Sequence, residues 1–172
     1  PIRIMVHGYG SDENDLFSFA TELPEELFII SVRAPHPMQP YGNAWYAINF
    51  DAEMNKWNDN DQAKASRDLI ANFIDEACNA YPVNKNNVTL LGFSQGTILS
   101  YAVALTYPEK MKNIIALSGY ISEDMLPEDL SQHDYSGLDF YCSHGCLDQV
   151  IPVDWARKAP KFLERLNIKH VY

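Results

Sequence analysis

The sequence predicts an α/β fold, a mostly parallel sheet with helices on both faces. Three observations predict it. Short apolar, β-branched runs alternate along the chain with longer segments whose apolar residues recur every three or four positions. Prolines stop two of the helical segments, at Pro82 and Pro108, so each element has a defined end. No repeat or low-complexity tract breaks the alternation. Strands separated by helices are joined by crossovers, and crossovers lay neighbouring strands parallel.

The elements follow in order. Pro1–Val6 is a buried strand that runs into a turn-rich loop, His7-Gly8-Tyr9-Gly10-Ser11. Asp12 or Asp15 caps a short helix reaching about Leu23. Leu27–Arg33, reading LFIISVR, is the second strand. From Ala34 to Asn60 no period holds, because Pro35, Pro37, Pro40, Gly42 and Asn43 interrupt it. A loop of that length in a compact domain is functional or hides unrecognised structure. Asp61–Tyr81 is the clearest helix, with Leu69, Ile70, Phe73, Ile74, Ala77 and Tyr81 forming one apolar stripe. Val88–Phe93 is a strand, Thr97–Tyr107 a helix and Lys112–Ser118 a strand. After a polar stretch, Leu138–Ser143 is another strand. Val153–Leu166 is helical by period, with Pro160 kinking or splitting it, and Ile168–Tyr172 is a last strand.

Composition narrows the function. The 172 residues are one domain's worth, and 47% hydrophobic and 12% aromatic content exclude a disordered chain. Thirteen basic residues against 23 acidic ones give a net charge of −10. Such a surface repels phosphate backbones and anionic headgroups, so no nucleic-acid partner is expected. No apolar run approaches the ~18 residues of a membrane span. Cys78, Cys142 and Cys146 are odd in number and lack zinc-ligand spacing. They read as ordinary thiols in a reducing, cytoplasmic setting, with no metal site. The chain opens at Pro1 straight into an apolar run and stops inside a strand pattern. The expectation is a single domain over residues 1–172 that lacks edge strands at its start and a final loop and helix.

Three stretches carry chemistry. Gly92-Phe93-Ser94-Gln95-Gly96 is a G-x-S-x-G motif set between a strand and a helix. A turn that sharp strains the serine backbone, and side chains at 92 or 96 would clash with the flanking elements. Ser94 then stands exposed at the sheet edge near a helix amino end, as a nucleophile needs. Acyl transfer also needs N–H donors for the tetrahedral oxygen. Gln95, next after the serine, supplies one, and Tyr9 in the His7–Gly10 loop is the candidate for the other. His7 reads as a brace for that loop. The acid candidate is Asp148, in the loop after the Leu138–Ser143 strand and hence at the same sheet edge as Ser94. Asp139 falls at the opposite edge, and Asp124 and Asp154 read as solvated.

Together these stretches resemble the phospholipase/carboxylesterase family of α/β-hydrolases, which includes bacterial carboxylesterases and acyl-protein thioesterases. The resemblance rests on IMVHGYGSDENDL at the first loop, SVRAP and AWY around the long loop, LLGFSQG at the serine and SHGCLDQVIP at the acid. It implies an α/β-hydrolase fold and hydrolysis of a small-molecule acyl ester or thioester by a Ser–Asp–His triad, without metal or cofactor. Family members often carry an aspartate after the Trp-aromatic pair, where this chain has Ala47, a difference that bears on substrate contacts. The triad order places the histidine last. Only His170 follows Asp148, and it sits in a strand pattern, whereas the family's base lies in a loop past that strand. The base is therefore expected beyond Tyr172, with His170 as the substitute. His36 and His133 read as solvent-exposed and His144 as a brace beside Asp148. Tyr9, Trp45, Tyr46 and Phe93 are the pocket candidates, with the Ala34–Asn60 loop as a cover. Two alternatives stay open. One is a non-catalytic hydrolase-fold binding protein that has lost its base. The other is a dienelactone-hydrolase-like enzyme, although that group usually has cysteine where Ser94 stands.

Overall fold

The computed structural model describes residues 1–50, 52–53 and 55–172. Its elements run β1 (Ile2–Val6), α1 (Glu13–Phe17), β2 (Phe28–Val32), β3 (His36–Pro37), β4 (Asn43–Ala44), β5 (Ile48–Phe50) and β6 (Lys56–Asn58). They continue as α2 (Asn60–Ala80), β7 (Val88–Phe93), α3 (Gln95–Thr106), β8 (Asn113–Leu117), β9 (Asp139–Ser143), α4 (Val153–Ala156), α5 (Lys158–Arg165) and β10 (Lys169–Val171). Six strands form one sheet in the order β10-β9-β8-β7-β1-β2, and every neighbouring pair is parallel.

Strand alternation distributes the helices over both faces. Ile2, Ile4 and Val6 point into the main core with residues of α2 and α3. Met5 is also buried but points the other way, and its register partner Ser31 bonds the Glu13 carbonyl of α1 at 2.6 Å. α1 therefore covers the opposite face. α3 is buried along all twelve residues, held between the sheet and α2. A helix apolar all round has to sit in such a place.

Several expected elements take a different form. The helix after Asp12 ends at Phe17, and a short 3₁₀ turn over Ala20–Glu22 replaces the rest. The Ser18 hydroxyl bonds back to the Asp15 carbonyl, competing with continuation of the helix. The stripe of α2 is rotated from the expected one. Ala63, Ser66, Ile70, Ala71, Ile74 and Ala77 are buried, while Leu69 and Tyr81 are exposed. Close packing on α3 favours small side chains, which a count of large apolar residues overlooks. The long loop holds two ribbons, β3 with β4 and β5 with β6. The 153–166 helix breaks at Arg157, three residues before Pro160. Pro160 lies in the first turn of α5, where its missing N–H costs nothing.

Candidate active site

In a parallel sheet, side chains with a task collect beyond the carboxyl ends of the strands. Ser94 leaves the end of β7 with φ +54 and ψ −117, a conformation that L-residues rarely adopt. Its N–H bonds the Leu117 carbonyl at 3.0 Å, and its own carbonyl receives Thr97 and Ile98 N–H groups. The turn is thus fixed from both sides. A Cβ at Gly96 would lie 2.0 Å from the Val6 carbonyl oxygen, and one at Gly92 would lie 2.7 Å from that of Gly96. Both glycines are required by backbone contact, as the motif predicts.

Ser94 opens into a cavity of about 330 Å³. Tyr9, Tyr46, Phe93, Gln95 and Asp148 share its lining, so most of the predicted residues meet there. Gly8 brings the first loop against the elbow, since a Cβ on it would be 3.3 Å from Phe93 O and from Ser94 Cβ. Gly10 and Ser11 direct their N–H groups to Asn43 and Gly8. Gln95 opens α3, where a helix N–H has no intrahelical acceptor. The N–H groups of Tyr9 and Gln95 have no hydrogen-bond acceptor among the described residues.

Asp148 sits in a tight turn of its own making. One carboxylate oxygen accepts the N–H groups of Ile151 at 2.9 Å and Val150 at 2.8 Å. Chiefly the Ile151 N–H, against the opposing effect of burial, holds its carboxyl below the usual carboxylate range. His144 Nε2 donates to the Ile151 carbonyl at 2.8 Å and lies 3.4 Å from the other Asp148 oxygen. It braces the loop, as expected. Its Nδ1 is buried without a partner among the described residues.

The other histidines lie elsewhere. His7 accepts the Ala34 N–H at Nε2, 3.0 Å, leaving Nδ1 to donate to the Gly8 carbonyl at 2.7 Å. Both nitrogens are used structurally. His170 lies in the middle of β10, level with Phe140, and its Nδ1 meets the Ile168 carbonyl. It does not line the Ser94 cavity. His36 and His133 are half-buried rather than solvent-exposed, the first in the β3–β4 ribbon and the second against Tyr135.

Trp45 is corrected from pocket to core. It is 1% exposed, its indole N–H donates to the His7 carbonyl at 2.8 Å, and it borders a separate cleft beside β2 and α2. The side chain of Gln95 decides this. Its amide accepts the Trp45 N–H at 2.8 Å and donates to the Tyr46 carbonyl at 3.0 Å, clamping the loop so that Tyr46 faces the cavity. Ser66 secures the Trp45 carbonyl and Gln62 the Ala47 N–H, fastening the same loop to α2. Ile48, Lys56 and Asn58 also line the cavity, from within the 34–60 loop expected as a cover, while Ile98, Ser118, Tyr120, Val150 and Ile151 were not foreseen. Of these five, Ser118 had a signal in its position at the end of a strand of the same sheet, and Val150 and Ile151 in the stretch that carries Asp148.

The profile of the phospholipase/carboxylesterase family matches residues 2–172. Acyl-protein thioesterase 1 of Yarrowia lipolytica is 32% identical over 182 residues, covering 98% of this chain and 78% of that protein. Its Kluyveromyces lactis counterpart is 30% identical over 125 residues, 71% of this chain and 54% of that protein, so the match spans about half of that relative. Among solved structures, esterase PE8 aligns with a TM-score of 0.83 at 28% identity, over 99% of this chain and 80% of that one. A Bacillus cereus carboxylesterase aligns at TM-score 0.82 and 19% identity, over 99% of this chain and 76% of that one, a likeness of fold. No helix among the described residues is long and apolar enough to cross a membrane.

Proposed function

The chain belongs to the phospholipase/carboxylesterase family and has the α/β-hydrolase fold, and on that premise we propose that it is a serine hydrolase of carboxylic esters or thioesters. The observation that carries the reading is Ser94, held at a strained strand–helix turn and opening into a cavity that Asp148 shares. Ser94 Oγ attacks the acyl carbon while a histidine takes its proton. The N–H groups of Tyr9 and Gln95 stabilise the oxyanion, and the alcohol or thiol leaves with that proton. Water then attacks the acyl-enzyme by the same route. Asp148 orients the imidazole and stabilises its charged form. The chemistry calls for no metal or cofactor. None of the five histidines lines the cavity, so this reading assigns the base to a histidine outside the 172 residues.

Hydrolysis of a short-chain p-nitrophenyl ester tests this, with Ser94→Ala as background. Alone, the 172-residue chain is expected to stay near background. Added imidazole is expected to produce a rate above that of Ser94→Ala, with an acyl group on Ser94 by mass spectrometry. A robust Ser94-dependent rate without imidazole would return the base to this chain, with His170 first in line. Absence of Ser94 acylation under both conditions would overturn the hydrolase reading in favour of a binding protein.

A further inference from the structure

The lining of the Ser94 cavity includes one cationic residue, Lys56, that the chemistry above does not use. Ile48 lies opposite Asn58, and Phe50 opposite Lys56, across the β5–β6 ribbon. Residues two apart on a strand share a face, so these four project to one side and Asn49 and Trp57 to the other. Ile48, Lys56 and Asn58 line the cavity, so this is the face turned to Ser94. The ribbon thereby places Lys56, an exposed residue, in the cavity wall.

What distinguishes Lys56 is its place, as the one lysine or arginine in the cavity lining among the described residues. Six of the chain's 13 lysines and arginines (Arg33, Arg67, Lys110, Arg157, Arg165 and Lys169) have a carboxylate partner among the described residues, so a cation without one is common in this chain. Lys56 has none among the described residues. The other charged group in the cavity lining, Asp148, is already served by two backbone N–H groups and the nearby His144. The remaining lining is neutral, with Tyr9, Tyr46, Phe93 and Ile98 supplying apolar surface. The chain's net charge of −10 works against anions in general, so any attraction for them at the site has to be local.

We propose that Lys56 is a specificity-determining residue, selecting esters or thioesters that carry an anionic group such as a carboxylate within reach of the scissile carbonyl. The inference rests on the serine-hydrolase reading for the ester but not for the anion. The anion can belong to the acyl part or to the leaving group, and the two are separable.

Binding to the Ser94→Ala chain, followed by NMR titration, tests the idea without turnover. Monomethyl glutarate carries its charge on the acyl side, with dimethyl glutarate as the neutral match. Acetoxyacetate carries it on the leaving-group side, with methyl acetoxyacetate as the neutral match. One anionic ester is expected to bind about fivefold more tightly than its neutral partner, the scale of a solvent-accessible ion pair. Lys56→Met should abolish the preference, Lys56→Arg should keep it, and added salt should shrink it. The pair that responds identifies the side. Equal affinities within both pairs, no binding of any of the four esters, or a preference surviving Lys56→Met overturns the proposal. If Ser94 fails to acylate while the Lys56-dependent preference stands, the hydrolase reading falls and the anion site remains. If Ser94 acylates and the preference is absent, the reverse holds.

Discussion

Replacing Gln95 by alanine separates two things that one residue does. The backbone N–H at the start of α3 survives, while the side-chain amide that clamps Trp45 and Tyr46 is removed. Gln95 is 2% exposed, so loss of its amide strands the Trp45 N–H and the Tyr46 carbonyl away from bulk water. Each stranded group costs about 1–3 kcal/mol, and partial water entry offsets some of the sum. We expect destabilisation of about 2–4 kcal/mol, or roughly 5–15 °C in melting temperature for a domain of this size. The damage should also be local. Trp45 carries the link from this clamp to the His7 carbonyl, so the loop bearing Tyr9 loosens with it. Urea unfolding gives the magnitude, and hydrogen exchange at the Trp45 amide gives the location. Gln95→Glu provides a sign test, because only its protonated form can donate to the Tyr46 carbonyl. That variant should therefore gain stability as the pH falls. A loss below about 0.5 kcal/mol for Gln95→Ala, with Trp45 exchange unchanged, would refute the clamp.

Two further predictions concern the elbow and the acid. Gly96→Ala puts a Cβ 2.0 Å from the Val6 carbonyl and 2.5 Å from that of His7, so β1 and α3 must separate. We expect about 3 kcal/mol of destabilisation or more, measured by thermal unfolding, and a well-folded variant with an unshifted melt would contradict the packing. Asp148 has a lowered carboxyl pKa, chiefly through the Ile151 N–H, so ionisation stabilises the folded chain above the unfolded-state value and that contribution is lost as the pH falls through the folded-state value. The stability gap between the parent chain and Asp148→Asn should be flat from neutral pH to about 4.5 and close below about 4. A gap that persists unchanged to lower pH would count against that origin of the shift.

The fold was legible where burial repeats along the chain. The central strands of the parallel sheet are largely apolar runs, and the expected bounds of all six strands agree with the observed ones to within a residue or two. The face of α2 was less legible. Leu69 belongs to the apolar stripe by size and spacing yet is 49% exposed, because close approach to α3 selects Ala63, Ser66 and Ala77 instead. The ribbons between residues 36 and 58 are too short for alternation to register against a background of prolines and glycines. The break at Arg157 shows the limit of reading Pro160 as a helix breaker, since a first-turn proline leaves no hydrogen bond to lose.

The site divides along the same line. Ser94, Asp148 and Tyr9 meet because each follows the carboxyl end of a sheet strand, and alternation alone orders those ends. Glycines at 92 and 96 record the local backbone contact in the sequence itself. Trp45 and Tyr46 show what is not recorded. They are adjacent, aromatic and equally buried, yet one packs beneath the loop and the other walls the cavity. The choice between them is made by an amide 49 to 50 residues away. Lys56 and Tyr120 reach the cavity from a three-residue strand and a loop, with no motif to announce either. The features that fix the chemistry are thus local and backbone-bound, while those that select a substrate come from tertiary contacts free to change without disturbing the nucleophile. Substitutions at Lys56 should accordingly change which esters bind, and substitutions at Gly96 whether the elbow forms at all.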